Sequence, residues 1–306
     1  MRERDLIARL LAPLATSATA RGLADDAAVF APPIGRDLVL THDILASGVH
    51  YLPDDPPSDV AWKLLAVNLS DLAAMGARPV GVLLGLGLSA AEDEAWVTAF
   101  AGGLKRAIDR WGVALWGGDT VSGLAAAVLG LTAVGQVDPG RALSRSGARP
   151  GDTLWVSGTI GDAGLGLAIA QGAAAADKFL LGRYRRPEPR LALGQSLSGV
   201  ATAAMDVSDG LLIDAERLAA ASGVAVTIAL AALPVSPAAA ARVARDDAGL
   251  AGLASAGDDY ELLFTLPPGI EVADATRVGV VSEGAGRTVL GLDGAVFVPE
   301  RLGYEH

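Results

Sequence analysis

The sequence predicts a two-domain protein of layered α/β (α+β) type, and three observations lead there. The chain has 306 residues, which at roughly 100–200 residues per domain points to two. Apolar residues make up 51% of it, enough to give each domain a core and to exclude a disordered chain. Short apolar runs of strand length alternate with helix-like segments, the pattern of sheets covered by helices.

A helix is expected over residues 4–14, followed by a polar, glycine-containing loop and a strand over 37–43. Pro56-Pro57-Ser58 lead into a helix over 59–75, with Ser58 placed to cap it and Gly76 to stop it. Strands follow over 80–88 and 113–116 around an amphipathic helix at 91–110, and 125–137 is a further long apolar strand. Between 138 and 152 the composition shifts to Gly, Arg, Ser and Pro, which divides a first domain, 1–138, from a second, 139–306.

The second domain begins with a strand over 153–157 and a turn carrying Gly158, Gly161, Gly164 and Gly166, then Ala/Leu-rich helices up to residue 200. A strand enters Asp206, a helix covers 209–221, and a buried strand covers 224–230. Further strands fall at 260–266 and within 278–298. No repeat of solenoid length occurs, but Leu69-Ser70-Asp71-Leu72 is echoed by Val207-Ser208-Asp209-Gly210-Leu211.

Composition excludes several classes of function. Without cysteine there are no disulfides, thiolate zinc sites, iron–sulfur clusters or cysteine nucleophiles. Lys and Arg number 24 against 35 Asp and Glu, so the net charge is −11 and no nucleic acid is expected as a partner. Small anionic ligands then need bridging cations. A mean hydropathy of +0.41 raises the question of a membrane. The longest uncharged stretch, 218–241, is broken by Ser222-Gly223, Pro234 and Pro237, so no membrane span is expected. Met1-Arg2-Glu3-Arg4-Asp5 mixes both signs of charge and Arg9 interrupts the apolar residues after it; a signal peptide is not expected, and the cytoplasm is.

Several aspartates stand where solvation does not account for them. Asp25-Asp26 precede apolar residues, Asp43 ends an apolar strand, and Asp71 shares one side of a nearly all-apolar helix with Leu64, Asn68 and Met75. Asp119 follows Gly117-Gly118, Asp206 and Asp209 flank a strand-to-helix turn, and Asp258-Asp259 precede a strand. Each alone reads better as a cap, turn or solvated corner residue than as a functional one. Together they need cations to offset their desolvation, and nearby Lys and Arg are too few. Oxygen ligands with three histidines in the whole chain select hard cations, Mg²⁺ foremost, and Mg²⁺ held by carboxylates completes its shell with water and phosphates. The residues thus predict a Mg²⁺-dependent enzyme acting on phosphates. It has neither a Walker A loop nor a kinase-type Gly-rich strand set.

Asn68-Leu69-Ser70-Asp71-Leu72-Ala73-Ala74-Met75-Gly76, preceded by Lys63, resembles the signature helix of the thiamine-monophosphate kinase family, of the aminoimidazole-ribonucleotide synthetase-like superfamily. The other motifs follow in family order: Asp25-Asp26-Ala27-Ala28, His50-Tyr51-Leu52-Pro53-Asp54, Gly117-Gly118-Asp119-Thr120, Arg141-Ala142-Leu143-Ser144-Arg145-Ser146-Gly147, Asp206-Val207-Ser208-Asp209-Gly210-Leu211 and Asp259-Tyr260-Glu261-Leu262. The resemblance implies two α/β domains, dimers formed through the N-terminal sheet, and transfer of the γ-phosphoryl group of ATP to thiamine monophosphate. No covalent nucleophile takes part. It also implies that Asp26, Thr41, Asp43, Asp71, Asp119, Asp206 and Asp209 hold several Mg²⁺ ions. Gly118, Asp119, Arg145 and Ser208 would contact ATP, and His50, Asp258 and Arg301 the substrate.

Four positions depart from the family pattern: Ala24 replaces Gly, His42 replaces Thr, Asp258 replaces Glu, and Arg301 replaces an aromatic residue. They bear on substrate recognition more than on metal or ATP. Two alternatives follow: a related ATP-dependent enzyme with another phosphate acceptor, and a catalytically silent nucleotide-binding homologue. The missing cysteine weighs against the selenophosphate synthetase and hydrogenase-maturation branches.

Overall fold

The computed structural model describes residues 3–305, with side chains from residue 5 onward. The chain divides into two compact units, one comprising Met1–Leu72 with Ala77–Gly140 and the other Ala73–Gly76 with Arg141–His306.

The first unit opens with α1 (Glu3–Leu6), which widens into a π turn over Ile7–Leu11 and tightens into a 3-10 turn over Ala12–Leu14. The uniform helix expected over 4–14 is not formed, because Pro13 donates no hydrogen bond and its ring obstructs the preceding turn. Four strands then form one sheet in the order β1-β4-β2-β3: β1 (Asp37–Ala46), β2 (Arg78–Ser89), β3 (Ala114–Leu124) and β4 (Val128–Val137). β4 runs antiparallel to both β1 and β2, whereas β2 and β3 are parallel, as the crossover through α3 (Glu94–Trp111) requires. Asp93 caps α3 by accepting from the Trp96 amide at 2.8 Å, and Gly112 ends it in the left-handed conformation.

Helix α2 (Pro57–Ala74) starts one residue before Ser58, so Ser58 is not its cap; Pro57 takes the first helical position, where its fixed φ suits and its missing N–H costs nothing. Leu64, Leu65, Leu69 and Leu72 are fully buried on it. Gly117-Gly118 and Asp119, the last offered by the sequence as a cap or turn residue, lie inside β3, which runs eight residues beyond the expected end at 116. A bulge between Val82 and Leu83 in the β2–β3 register accommodates Trp116, whose ring stacks on Phe30 at 4.7 Å. One face of the sheet stays open and apolar, with Leu38, Leu40 and Ile44 of β1, Leu83 of β2, Val121 of β3 and Val128 of β4 all exposed.

The second unit holds a seven-stranded sheet in the order β11-β10-β7-β9-β5-β8-β6. Its strands are β5 (Thr153–Ser157), β6 (Ala203–Val207), β7 (Ala225–Ala229), β8 (Glu261–Leu266), β9 (Ala275–Ser282), β10 (Gly286–Leu290) and β11 (Val296–Phe297). Only β10 and β7 pair in parallel. Helices α4 (Asp162–Ala170), α5 (Lys178–Arg185), α6 (Leu191–Leu197), α7 (Leu211–Ser222), α8 (Pro237–Ala240) and α9 (Asp247–Ala254) complete the unit. α7 lies against β6, β7 and β10, where Leu211, Leu212, Ala215, Leu218 and Ala219 join a core with Val207, Val226, Ile228 and Leu263. A layered α/β fold in both halves bears out the predicted class.

Candidate active site

In the first unit, strand alternation puts Thr41 and Asp43 on the same face of β1, and α2 supplies the partners. Three residues apart on one side of that helix, Asn68 accepts from the Asp43 amide through Oδ1 at 2.9 Å and Asp71 accepts from the Thr41 hydroxyl at 2.5 Å. Asn68 is itself held by donating to the Leu64 carbonyl at 2.9 Å. The Asp43 carboxyl is pushed up to about 6, first by burial and then by the neighbouring charge of Asp71. His50 follows the end of β1: its Nδ1 accepts from the Ala46 amide at 3.1 Å, so a neutral ring carries its proton on Nε2. Buried Lys63 donates to the His50 carbonyl at 3.0 Å and fixes that turn from α2.

Asp26 and Asp119 share a different place, a cavity of about 440 Å³ between the N-terminal segment and β3, also lined by Gly117 and Gly118. Asp119 accepts from the Thr120 amide at 2.8 Å. A Cβ at Gly118 would lie 1.8 Å from the Leu84 carbonyl oxygen, so only glycine allows β3 to approach β2 there. The register sets Asp119 opposite Gly85, Gly130 and Ile44, on the open face, while Asp43 faces α2. Across three strand spacings, about 14 Å, the first unit does not bring Asp43 and Asp119 together.

In the second unit β6 delivers buried Asp206, and the turn after it carries Ser208 and Asp209. The N-cap of α7 is Gly210, which has no side chain to accept from the helix start. Asp214 takes over: its Oδ2 receives the amides of Ser208, Asp209 and Gly210 at 3.1, 3.1 and 3.2 Å. Burial, with the Asp209 charge after it, pushes the Asp214 carboxyl up to about 6 although the Asp209 amide and Arg217 oppose the shift. Arg217 bonds both Asp214, at 2.8 Å, and Asp209. From the other side the Asp258 and Tyr260 amides donate to the Ser208 and Val207 carbonyls at 2.7 and 2.8 Å, and the Tyr304 amide donates to the Asp209 carbonyl at 2.9 Å.

Asp258 and Tyr260 hold positive φ values of 68° and 50°, a conformation unfavourable for both. Buried Asp259 between them fixes this turn by accepting from the Gly161 and Ala163 amides at 2.7 and 3.3 Å, at the start of α4. Fully buried Glu261 next to it accepts from Ser157, Arg183 and Arg190. Arg301 joins the same end of the unit through its carbonyl, which accepts from Ser255 at 2.9 Å, and its side chain is exposed. Arg145 is anchored elsewhere: its carbonyl accepts from Ser222 at 3.1 Å, at the far end of α7 from Asp209.

Sequence reasoning missed Asp214 and Arg217, and it singled out Asp259 and Glu261 within a motif without giving either a role. The first had a signal, an acid set among Leu211, Leu212, Ile213 and Ala215 just after a glycine cap. Among the family departures, Ala24 adopts φ −98° and ψ −14°, so no glycine is needed there. His42 points to the open face, its Nδ1 2.8 Å from Thr132 Oγ1, away from Thr41 and Asp43.

The donor set fits a hard cation. Asp43 and Asp71 are crowded carboxylates whose mutual repulsion and burial a divalent ion would relieve, and Thr41 adds a third oxygen. Among the described residues no group of three or more acidic or histidine side chains converges enough to hold a metal unaided.

Comparison with known proteins places the chain. The model of the AIR synthase related protein, N-terminal domain, matches residues 24–137, and that of its C-terminal domain residues 149–290. The chain is 42% identical over 319 residues to a thiamine-monophosphate kinase of Caulobacter vibrioides, covering 99% of this chain and 90% of that one. It is 41% identical over 301 residues to the Escherichia coli K12 enzyme of the same name, covering 93% and 91%. The solved thiamine-monophosphate kinase of Stenotrophomonas maltophilia K279a superposes with a TM-score of 0.81 at 42% identity over 90% of this chain and 91% of that one. AaThiL complexed with AMPPCP and TMP also gives 0.81, at 31% identity over 100% and 99%. HypE in complex with ATP, a hydrogenase maturation protein, gives 0.80 at 21% identity over 98% and 95%, which shows a shared fold only. Matched from end to end by these kinases and through both halves by the domain models, the chain belongs to the thiamine-monophosphate kinase family of AIR synthase related proteins.

Proposed function

We propose that the protein transfers the γ-phosphoryl group of ATP to thiamine monophosphate, yielding thiamine diphosphate and ADP. The observation that carries this reading is the clustering of Thr41, Asp43 and Asp71 in a chain that matches such kinases over nearly its whole length. An oxygen of the acceptor phosphate attacks the γ-phosphorus in line, and the bond from that phosphorus to the bridging oxygen of ADP breaks. A phosphate acceptor is already nucleophilic, so the protein chiefly positions and neutralises charge.

Asp26, Thr41, Asp43, Asp71 and Asp119 are the residues of the first unit that would hold Mg²⁺ ions, and Asp206 and Asp209 those of the second. When bound, Mg²⁺ supplies charge neutralisation at the transferring phosphoryl group. Gly118, Asp119, Arg145 and Ser208 serve ATP, the first two in the cavity that Asp26 also lines. His50 offers Nε2–H to the substrate, and Asp258 and Arg301 complete its recognition. Residues 1–138 form the ATP- and Mg²⁺-binding domain and 139–306 the second α/β domain. The open face of the first sheet, with exposed Leu40, Ile44 and Val121, is the surface through which two copies dimerise. The cytoplasm is the compartment, since ATP is the phosphoryl donor; among the described residues no helix is long and apolar enough to cross a membrane.

The test is incubation of purified protein with MgATP and a panel of phosphate acceptors. Thiamine diphosphate formed from thiamine monophosphate supports the reading. ADP released with another acceptor would reassign the substrate. ATP and thiamine monophosphate bound without ADP formation over hours would identify a silent homologue.

A further inference from the structure

The turn that presents Asp209 is controlled from inside α7 by two residues one helical turn apart. Asp214, with a fully buried side chain, collects three successive backbone amides and thereby sets where the Asp209 main chain stands. Arg217 sets where the carboxylate points, because its Nη1 bonds Asp209 Oδ2 and Asp214 Oδ1 together. Asp209 retains 16% side-chain exposure and Arg217 39%, so this bridge lies at the edge of solvent. The guanidinium acts on Asp209 in two ways. It occupies a lone pair that a cation would otherwise use, and it places a fixed positive charge within hydrogen-bonding distance of the proposed metal ligand.

We propose that Arg217 is a positioning residue that aims Asp209 and at the same time weakens its hold on a bare divalent cation, so that Mg²⁺ enters chiefly with the nucleotide. Phosphate oxygens carry the negative charge that offsets the guanidinium, and free Mg²⁺ does not. The inference rests on the assignment of Asp209 to metal made above. It concerns this chain's own bridge, which neither the composition nor the motif of residues 206–211 predicts.

The test titrates the full-length protein with Mg²⁺ alone, without nucleotide, and fits the rise in melting temperature to an apparent Kd. Arg217→Gln removes the charge and is expected to bind Mg²⁺ about threefold tighter or more than the unaltered protein. Arg217→Lys keeps the charge and stays within about twofold of it. A merely structural arginine would change the starting melting temperature but not the Mg²⁺ dependence. Should Arg217→Gln not fold, Arg217→Met keeps the apolar stem and makes the same measurement. Mg²⁺ binding by the neutral variant that is equal to or weaker than that of the unaltered protein overturns the proposal. Asp209→Asn separates the two levels of the reading. If it leaves the apparent Kd unchanged, the metal assignment of Asp209 falls and takes this proposal with it. If it weakens binding while the neutral Arg217 variants change nothing, the assignment stands and the proposal alone fails.

Discussion

Two adjacent glycines of β3 give the sharpest test of the site geometry, because the structure assigns them opposite tolerances. A Cβ built on Gly118 falls 1.8 Å from the Leu84 carbonyl oxygen, 2.7 Å from its carbon and 3.0 Å from its nitrogen, all backbone of the neighbouring strand. One built on Gly117 meets a single atom, Leu83 Cδ2, at 3.4 Å, an ordinary contact with the end of a flexible side chain. Gly118→Ala can be accommodated only if β2 and β3 move apart by more than an ångström at their centre. Overpacking costs about 1–3 kcal/mol, and a backbone partner that cannot rotate away puts this case at the upper end, about 3 kcal/mol. At about 3 °C per kcal/mol for a domain of this size, the transition of the first unit should fall by about 9 °C. The same movement displaces Asp119 in the cavity it shares with Asp26, so ATP affinity should fall as well. Gly117→Ala should melt within about 2 °C of the unaltered protein, since an alanine at a compatible backbone position also lowers the entropy of the unfolded chain. Calorimetry of both variants, with ATP binding measured on each, decides the matter. Equal melting temperatures for the two would refute the reading of the β2–β3 approach.

Asp71→Asn should abolish turnover while leaving the melting temperature without Mg²⁺ unchanged or higher, because a charge that helps raise the Asp43 carboxyl to about 6 is removed; full activity in this variant would exclude Asp71 as a ligand. Burial pushes the Asp259 carboxyl up to about 8, against the opposing effects of the Gly161 amide and Arg183. A carboxyl raised in the folded state stabilises fully below its unfolded value of 3.8, and that contribution is lost as pH rises through about 8. Stability relative to Asp259→Asn, which keeps an oxygen acceptor, should therefore decline from pH 5 to pH 8 in urea titrations; parallel curves would contradict the assigned shift.

Much of the fold was legible because strand and helix periods differ. The place of β1 followed from its apolar run, and the side of α2 that bears Asn68 and Asp71 followed from spacing by three and four. The strand expected over 113–116 stopped short of Gly117-Gly118, whereas β3 runs through them and they remove two side chains from a bulged strand pair. α8 and α9 escaped because their segments are Ala- and Gly-rich and carry little polar contrast to reveal a period. Asp214 acts within its own turn, whereas Asp259 and Glu261 act on partners that the fold, not the local sequence, brings near. Glu261 meets Ser157 across more than a hundred residues, and no spacing rule reaches that far.

The two sheets also constrain the order in which this chain becomes a protein. β1 has a single neighbour, β4, so the first strand to leave the ribosome stays unpaired until the last strand of its unit has emerged. β5 lies between β8 and β9, and Thr153 finds Leu266 and Val280 only when most of the chain has been made. Slow, non-local strand pairing leaves Leu154, Trp155 and Val156 without cover throughout that interval. A chain interrupted before residue 261 would present this segment as an open template for other strands, a route to aggregation that the completed sheet closes.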